Sequence, residues 1–251
     1  MKAVAVIPAR MGSSRFPGKP LARLRGRPML EHVFRRTRLC PELDGVLIAT
    51  CDAEIAAAAS AFGATAIMTS DTHVRASDRV AEAAHDLDAD IIVMVQGDEP
   101  MIHPDMISRA LEPFKVSPDV LCVNLAAPIA TERQFEDRNT IKVVMAANGN
   151  ALYFSREPIP TRQGTNFDAL KAYKQVCVIP FRREFLMRYA QLAPTPLENL
   201  ESIDMLRVLE HGYPVRLVEC KASTQSVDTP ADLARVEALL AKDPLLAEYD
   251  L

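Results

Sequence analysis

Through the first 95 residues, short apolar runs alternate with longer mixed segments. Ala3-Val4-Ala5-Val6-Ile7 is apolar without alternation and rich in β-branched residues, which predicts a strand covered on both faces, as in a parallel sheet. Gly45 to Thr50 (GVLIAT), Ala64 to Met68 and Asp90 to Val95 (DIIVMV) read the same way. The segments between them have helical character. From Pro28 to Arg38, Met29, Val33 and, one turn on, Arg36 and Thr37 recur at helical spacing. Ala53 to Phe62 is alanine-rich, with Gly63 as its stop. Ser77 to Leu87 is expected to be a helix with Ser77 as N-cap and Arg79 in the first turn. Strand and helix in strict alternation predict an α/β fold with a doubly wound sheet. Ligands in such sheets sit beyond the carboxyl ends of the strands.

The second half reads differently. Leu121 to Ala127, Ile141 to Ala146 and Ala151 to Phe154 are expected strands, with Asn148-Gly149 turning a hairpin between the last two. Ser155 to Leu170 is polar and carries Pro158 and Pro160, which predicts a mobile surface loop. Further expected elements are a strand from Lys174 to Pro180, a helix from Arg183 to Gln191, and one longer helix from Glu198 to His211 ended by Gly212. A strand from Val215 to Cys220 and a helix from Pro230 to Lys242 follow. No internal repeat or long linker marks a boundary, so residues 1–251 are treated as one domain.

Composition narrows the function classes. With 251 residues and 49% hydrophobic content, the chain can bury a full core. A net charge of −4 supplies no global field to recruit nucleic acid or an anionic membrane, so any anion must be held by a local cluster of cations. Cys40, Cys51, Cys122, Cys177 and Cys220 are dispersed, without C-x-x-C spacing. This argues against a disulfide framework or structural zinc and for buried small side chains in a reducing compartment. The apolar start is too short for a signal segment or a membrane span, which makes a cytoplasmic protein the expectation.

Three segments carry candidate chemistry. Pro8-Ala9-Arg10-Met11-Gly12-Ser13-Ser14-Arg15-Phe16-Pro17-Gly18-Lys19-Pro20 leaves the first buried strand. Glycines allow close backbone approach, serines add donors, and Arg10, Arg15 and Lys19 concentrate positive charge, which is what a triphosphate requires. It is not a Walker A loop, because Pro20 stands where Ser or Thr is needed. A solvated basic loop is the bland alternative; its position after a buried strand argues against it. Gln96-Gly97-Asp98-Glu99-Pro100 follows the fourth strand directly, where a carboxylate can meet a cation in the crevice. Asp98 is the first choice as ligand. Val227-Asp228-Thr229-Pro230 offers a second carboxylate, although Asp or Thr before proline is also an ordinary helix start. His32, His73, His85, His103 and His211 form no metal-like set in sequence.

PARMGSSRFPGKPL, VQGDEPMI, ALYFSR, PLENLE with LRVLEHG, and VDTPADL occur in this order. They resemble, at comparable spacing and over nearly the whole chain, the CMP-Kdo synthetases (3-deoxy-manno-octulosonate cytidylyltransferases). The resemblance implies a Rossmann-like, doubly wound, mostly parallel sheet of the nucleotide-diphospho-sugar transferase type, with a small inserted dimerisation and acceptor lobe. It also implies CTP as donor, a small anionic acceptor, Mg²⁺ and a homodimer. By position, Pro8, Ala9, Arg10, Gly12, Ser13, Ser14, Arg15, Lys19, Arg79 and Gln96 would hold the nucleotide, with Asp98, Lys19 and Arg15 as catalytic groups. Asp98 and Asp228 would hold the metal, and Gln96, Arg156, Gln175, Glu201 and Asp204 would face the acceptor.

The chain also departs from that pattern. Where family members commonly read H-L-G-I-Y-x-Y, this chain reads Gln175-Val176-Cys177-Val178-Ile179-Pro180-Phe181. Glu201-Ser202-Ile203-Asp204-Met205-Leu206-Arg207 replaces E-x-x-E-Q-L-R, and Arg75-Ala76-Ser77-Asp78-Arg79 replaces S-G-T-E-R. Sites that recognise hydroxyls discriminate through such polar groups. Two acceptors therefore stand open: a 2-keto sugar acid such as Kdo, or a phosphonate such as phosphonoformate, as in a related branch of cytidylyltransferases. A non-catalytic nucleotide-binding regulator is the competing class, against which the retained Asp98 and Lys19 count. A nicotinamide dehydrogenase is disfavoured, since the first loop lacks G-x-G-x-x-G.

Overall fold

The computed structural model describes residues 1–12, 16–162, 164, 166–220 and 224–249. It divides into two compact units, Met1–Ser108 with Thr224–Leu251, and Arg109–Ser223. The first unit is built on parallel strands in the spatial order Ile91–Val95, Ala3–Pro8, Gly45–Thr50, Thr65–Met68. Val4 lies opposite both Gly45 and Ile92 in register. Every residue of Ala3–Pro8 and of Ile91–Val95 is buried, which accounts for their unbroken apolar character. Helices Met29–Arg38, Ala53–Ala61 and Ala76–Ala83 fill the crossovers. The chain steps outward from the first strand to the third, then returns to place the fourth strand on the other side of the first. Ala3–Pro8 and Ile91–Val95 therefore flank a topological switch point, and both candidate loops leave its carboxyl edge.

The second unit carries a mixed sheet in the order Arg216–Glu219, Val123–Pro128, Tyr173–Val176, Lys142–Met145, Ala151–Ser155. The first pair is parallel and the others antiparallel. The Asn148-Gly149 turn forms as expected: Gly149 has φ 81°, and the Ala146 N–H donates to the Asn150 carbonyl at 2.8 Å. The described residues contain no helix long and apolar enough to cross a membrane.

Several expectations need correction. Ser77 is not an N-cap; it lies inside Ala76–Ala83, fully buried, with its hydroxyl against the Met94 sulfur at 3.8 Å. The helix expected from Glu198 to His211 is two, Pro196–Glu201 and Met205–Glu210, because Ser202 turns left-handed at φ 55°. The strand from Lys174 to Pro180 is likewise two, Tyr173–Val176 and Val178–Arg182, separated at Cys177. Part of the expected 155–170 loop is anchored: Phe167 and Leu170 pack on Ile129, Phe135 and Ala172. The helices Pro104–Val116 and Glu132–Glu136 were not anticipated.

Candidate active site

The cation-bearing loop is tied down at both ends. After Pro8, the Ala9 N–H donates to the Ala49 carbonyl at 2.9 Å and the Met11 N–H to Asp52 Oδ2 at 2.8 Å. Asp52 stands at the N-cap position of Ala53–Ala61 but makes no side-chain cap bond there; its carboxylate serves the neighbouring loop instead. Sequence reasoning missed that role, since Asp before a helix already has an ordinary explanation. Farther on, the Gly18 N–H donates to the Met11 carbonyl at 3.1 Å, and Gly18 takes φ 72° to turn the chain into Lys19–Leu21. A side chain at that φ would be strained. Gly12 is exposed, and among the described residues nothing lies within 4 Å of the point a Cβ would occupy, so their packing demands no glycine there.

The second loop is equally constrained. The Gln96 carbonyl accepts the Glu99 N–H at 3.2 Å, and the Glu99 carbonyl accepts the Ile102 N–H at 3.0 Å. A Cβ on Gly97 would fall 2.9 Å from the Pro8 carbonyl oxygen, so glycine is what lets the two loops approach. Asp228 enters from the far end of the sequence. Thr229 and Asp232 form a reciprocal capping box on Pro230–Leu240, so the helix start is satisfied without the Asp228 carboxylate. The Val227 N–H donates to the Asp98 main-chain carbonyl at 2.9 Å, which fixes the two acid-bearing segments side by side. Val227 also joins Leu24, Met29, Val236 and Leu240 in an apolar cluster on which Phe16, Met101 and Leu233 pack. One floor therefore supports all three segments.

Lys19 is the meeting point. Its Nζ donates to Asp98 Oδ2 at 2.7 Å and lies 3.4 Å from Asp228 Oδ1, with all three side chains only partly exposed. Burial opposes the ammonium and is the largest single influence. Asp98, and behind it Asp228, outweigh that and raise the Lys19 pKa above the ordinary lysine value. Arg10 is exposed, and Gln96 half-buried beside Asp98. Ser13, Ser14 and Arg15 lie outside the described residues. Arg79 is almost wholly buried: Nη1 donates to Thr69 Oγ1 and to the Ser70 carbonyl, while Nη2 is buried without a hydrogen-bond partner among the described residues. Thr69 and Ser70 directly follow Thr65–Met68, so this guanidinium lies at the carboxyl end of another strand of the same sheet.

The other acceptor candidates belong to the second unit. Arg156 and Glu201 come together there: the Arg156 N–H donates to Glu201 Oε2 at 2.8 Å and its Nε to the Glu201 carbonyl at 2.6 Å. Glu201 Oε1 also accepts the Ser155 hydroxyl at 2.7 Å, while Arg156 Nη1 and Nη2 reach the Arg138 and Ser202 carbonyls. Gln175 Nε2 is pinned to the Asn124 side-chain oxygen at 2.6 Å. Asp204 stands at the N-cap position of Met205–Glu210.

A glycine-bearing turn with Arg10 and Lys19, beside converging carboxylates at the switch point of a parallel sheet, suits a nucleotidyltransferase. The family model described as Cytidylyltransferase matches residues 4–221, and the chain belongs to that family. It is an enzyme of the CTP-dependent kind. The 3-deoxy-manno-octulosonate cytidylyltransferase of Geotalea uraniireducens is 45% identical, over 96% of this chain and all of that protein. The Geobacter metallireducens protein of the same name is 43% identical, over 96% of this chain and 99% of its own. A solved structure of CMP:2-keto-3-deoxy-manno-octonic acid synthetase complexed with CTP superposes with a TM-score of 0.88 at 40% identity, covering 96% of this chain and 99% of the other. The 4-diphosphocytidyl-2C-methyl-D-erythritol synthase of Anaerococcus prevotii, at 13% identity and a TM-score of 0.64, shares the fold.

Proposed function

We propose that this enzyme transfers CMP from CTP to 3-deoxy-manno-octulosonate, releasing pyrophosphate, and that it does so with Mg²⁺. The names of the two relatives and of the CTP-bound neighbour support this donor and acceptor. The observation that carries the catalytic reading is the cation already seated between Asp98 and Asp228.

The donor set suits magnesium. Two carboxylates converge on one positive charge, and among the described residues no group of three or more His, Cys, Asp or Glu side chains could form an all-protein cage. Magnesium commonly takes one or two carboxylates and completes its shell with water and phosphate oxygens. Asp98 and Asp228 would hold it, and bound there it would offset phosphate charge and polarise the reacting phosphoryl group. The chain's own groups do the rest. Arg10, Gly12, Ser13, Ser14, Arg15 and the loop backbone bind the triphosphate, Lys19 and Arg15 stabilise charge on the departing pyrophosphate, and Arg79 and Gln96 orient the nucleotide. The unpartnered Arg79 Nη2 suits a ligand acceptor. Arg156, Gln175, Glu201 and Asp204 shape acceptor recognition; the acceptor's hydroxyl oxygen attacks the α-phosphorus in line, the bond to the β-phosphate breaks, and the hydroxyl proton passes to solvent. A cytoplasmic homodimer is part of the same reading.

Asp98→Asn and Asp228→Asn test it. Each is expected to lower CTP-dependent pyrophosphate release by on the order of 10²-fold or more with the fold retained by circular dichroism. Wild-type turnover in either variant removes that residue from the site. Kdo and phosphonoformate are assayed in parallel, and turnover of the phosphonate alone reassigns the acceptor.

A further inference from the structure

The helix Met29–Arg38 presents a cation, Arg36, at a position its apolar spacing assigns to the core. The Arg36 side chain is 2% exposed. Its Nε donates to the Ile102 carbonyl at 2.6 Å, Nη2 reaches toward the Met101 carbonyl at 3.5 Å, and Nη1 pairs with Asp243 Oδ2 at 2.8 Å. Burying a guanidinium is costly, and these bonds go to two segments far apart in sequence.

Those segments are the ones that carry the site's acids. Consecutive turns run from Gln96 through Glu99 to Ile102, so a fixed Ile102 carbonyl anchors the loop that presents Asp98. Asp243 lies just past Pro230–Leu240, the helix that begins beside Asp228, and its other carboxylate oxygen caps the Leu245 N–H at 3.0 Å. We infer that Arg36 is a positioning residue: one planar fork sets the placement of the Asp98 loop against the Asp228 segment, and the Val227-to-Asp98 bond reports that placement. The inference rests on the acid-pair reading of the active site. A flexible lysine ammonium cannot reproduce a fork bonded in fixed directions.

The test uses the full chain with Arg36→Lys, Asp243→Asn, Asp98→Asn and Glu31→Gln. Glu31, on the same helix, pairs with Arg27 just before the helix and with Arg35 one turn on, at 2.7 Å each. Arg36→Lys and Asp243→Asn are expected to lower kcat by roughly 10- to 100-fold with little change in KM for CTP, since small misplacements of reacting groups act on that scale. Both are also expected to speed hydrogen exchange at the Val227 amide without ligand present. Glu31→Gln should lower Tm and leave kcat and that amide unchanged. Should Arg36→Lys fail to fold, Asp243→Asn, an isostere that keeps a hydrogen-bond acceptor, decides. Wild-type kcat or unchanged Val227 protection in the folded variants, while Asp98→Asn is inactive, overturns the positioning role and leaves the acid pair standing. Full turnover by Asp98→Asn overturns the reading beneath it.

Discussion

Replacing Lys19 with methionine removes the positive charge from between Asp98 and Asp228 while keeping most of the side-chain volume. The ammonium lies 2.7 Å from one carboxylate and 3.4 Å from the other. At an effective dielectric of about 20, the gross attractions are roughly 6 and 5 kcal/mol, most of it offset by desolvation. The net loss expected for charge-assisted hydrogen bonds is about 1.5–3 kcal/mol. That corresponds to roughly 3–12 °C in Tm for a chain of this size. The sign with pH follows from the raised Lys19 pKa. Its contribution is complete below the ordinary lysine value of 10.5 and is lost only as pH climbs through the higher folded value. The gap between wild type and variant should therefore be flat across neutral pH and close only in strong alkali. Thermal unfolding with and without millimolar MgCl₂, against NaCl at matched ionic strength, provides the assay. A divalent cation able to take the ammonium's place should raise the Tm of Lys19→Met more than that of wild type. Equal melting temperatures, or equal magnesium responses, would refute the reasoning.

Three further outcomes follow from the geometry. Gly97→Ala would drive a methyl group against the Pro8 carbonyl, 2.9 Å away, and should cost about 1–3 kcal/mol in denaturant unfolding together with a fall in kcat. Normal stability and rate would show that the two loops can separate freely. Buried His32 donates from Nε2 to the Leu24 carbonyl and accepts the Tyr249 hydroxyl at Nδ1, and burial lowers its pKa below 6.5. The unfolded chain therefore takes up the proton first, so stability should decline as pH falls below about 6.5, by at most about 1.4 kcal/mol per pH unit. A Tm–pH series should be flatter in His32→Gln. Burial pushes the Cys220 thiol up to about 11 and Cys122 higher still, and Cys40 is also buried. Ellman's reagent at pH 8 should therefore react quickly in the native protein only at the half-buried Cys51 and Cys177, with the other thiols appearing on unfolding.

Ala3–Pro8 and Ile91–Val95 were legible because complete burial leaves an unbroken apolar run, and a run ending in glycine and charge marks a carboxyl-edge loop. Asp98 and Lys19 could be chosen on that ground alone. Asp228 could not, since a helix start explains the same residues; in the structure the Thr229–Asp232 cap serves that helix start while the Asp228 carboxylate approaches Lys19. Arg36 and Asp52 escaped notice because their partners lie 66 and 41 positions away, beyond any local pattern. The break at Ser202 and the division at Cys177 were equally invisible. Neither segment carries a glycine or proline at the point of change, and packing rather than propensity decides it.

Lys19 and its second acid are separated by 209 positions. A nascent chain can form the strands around residues 3–8 and 91–95 and bring Lys19 to Asp98 long before Asp228 is synthesised. On the proposed reading, competence for chemistry waits until Asp228 has been synthesised, however early the sheet has folded, and cleavage upstream of residue 227 would leave Lys19 with one of its two carboxylates.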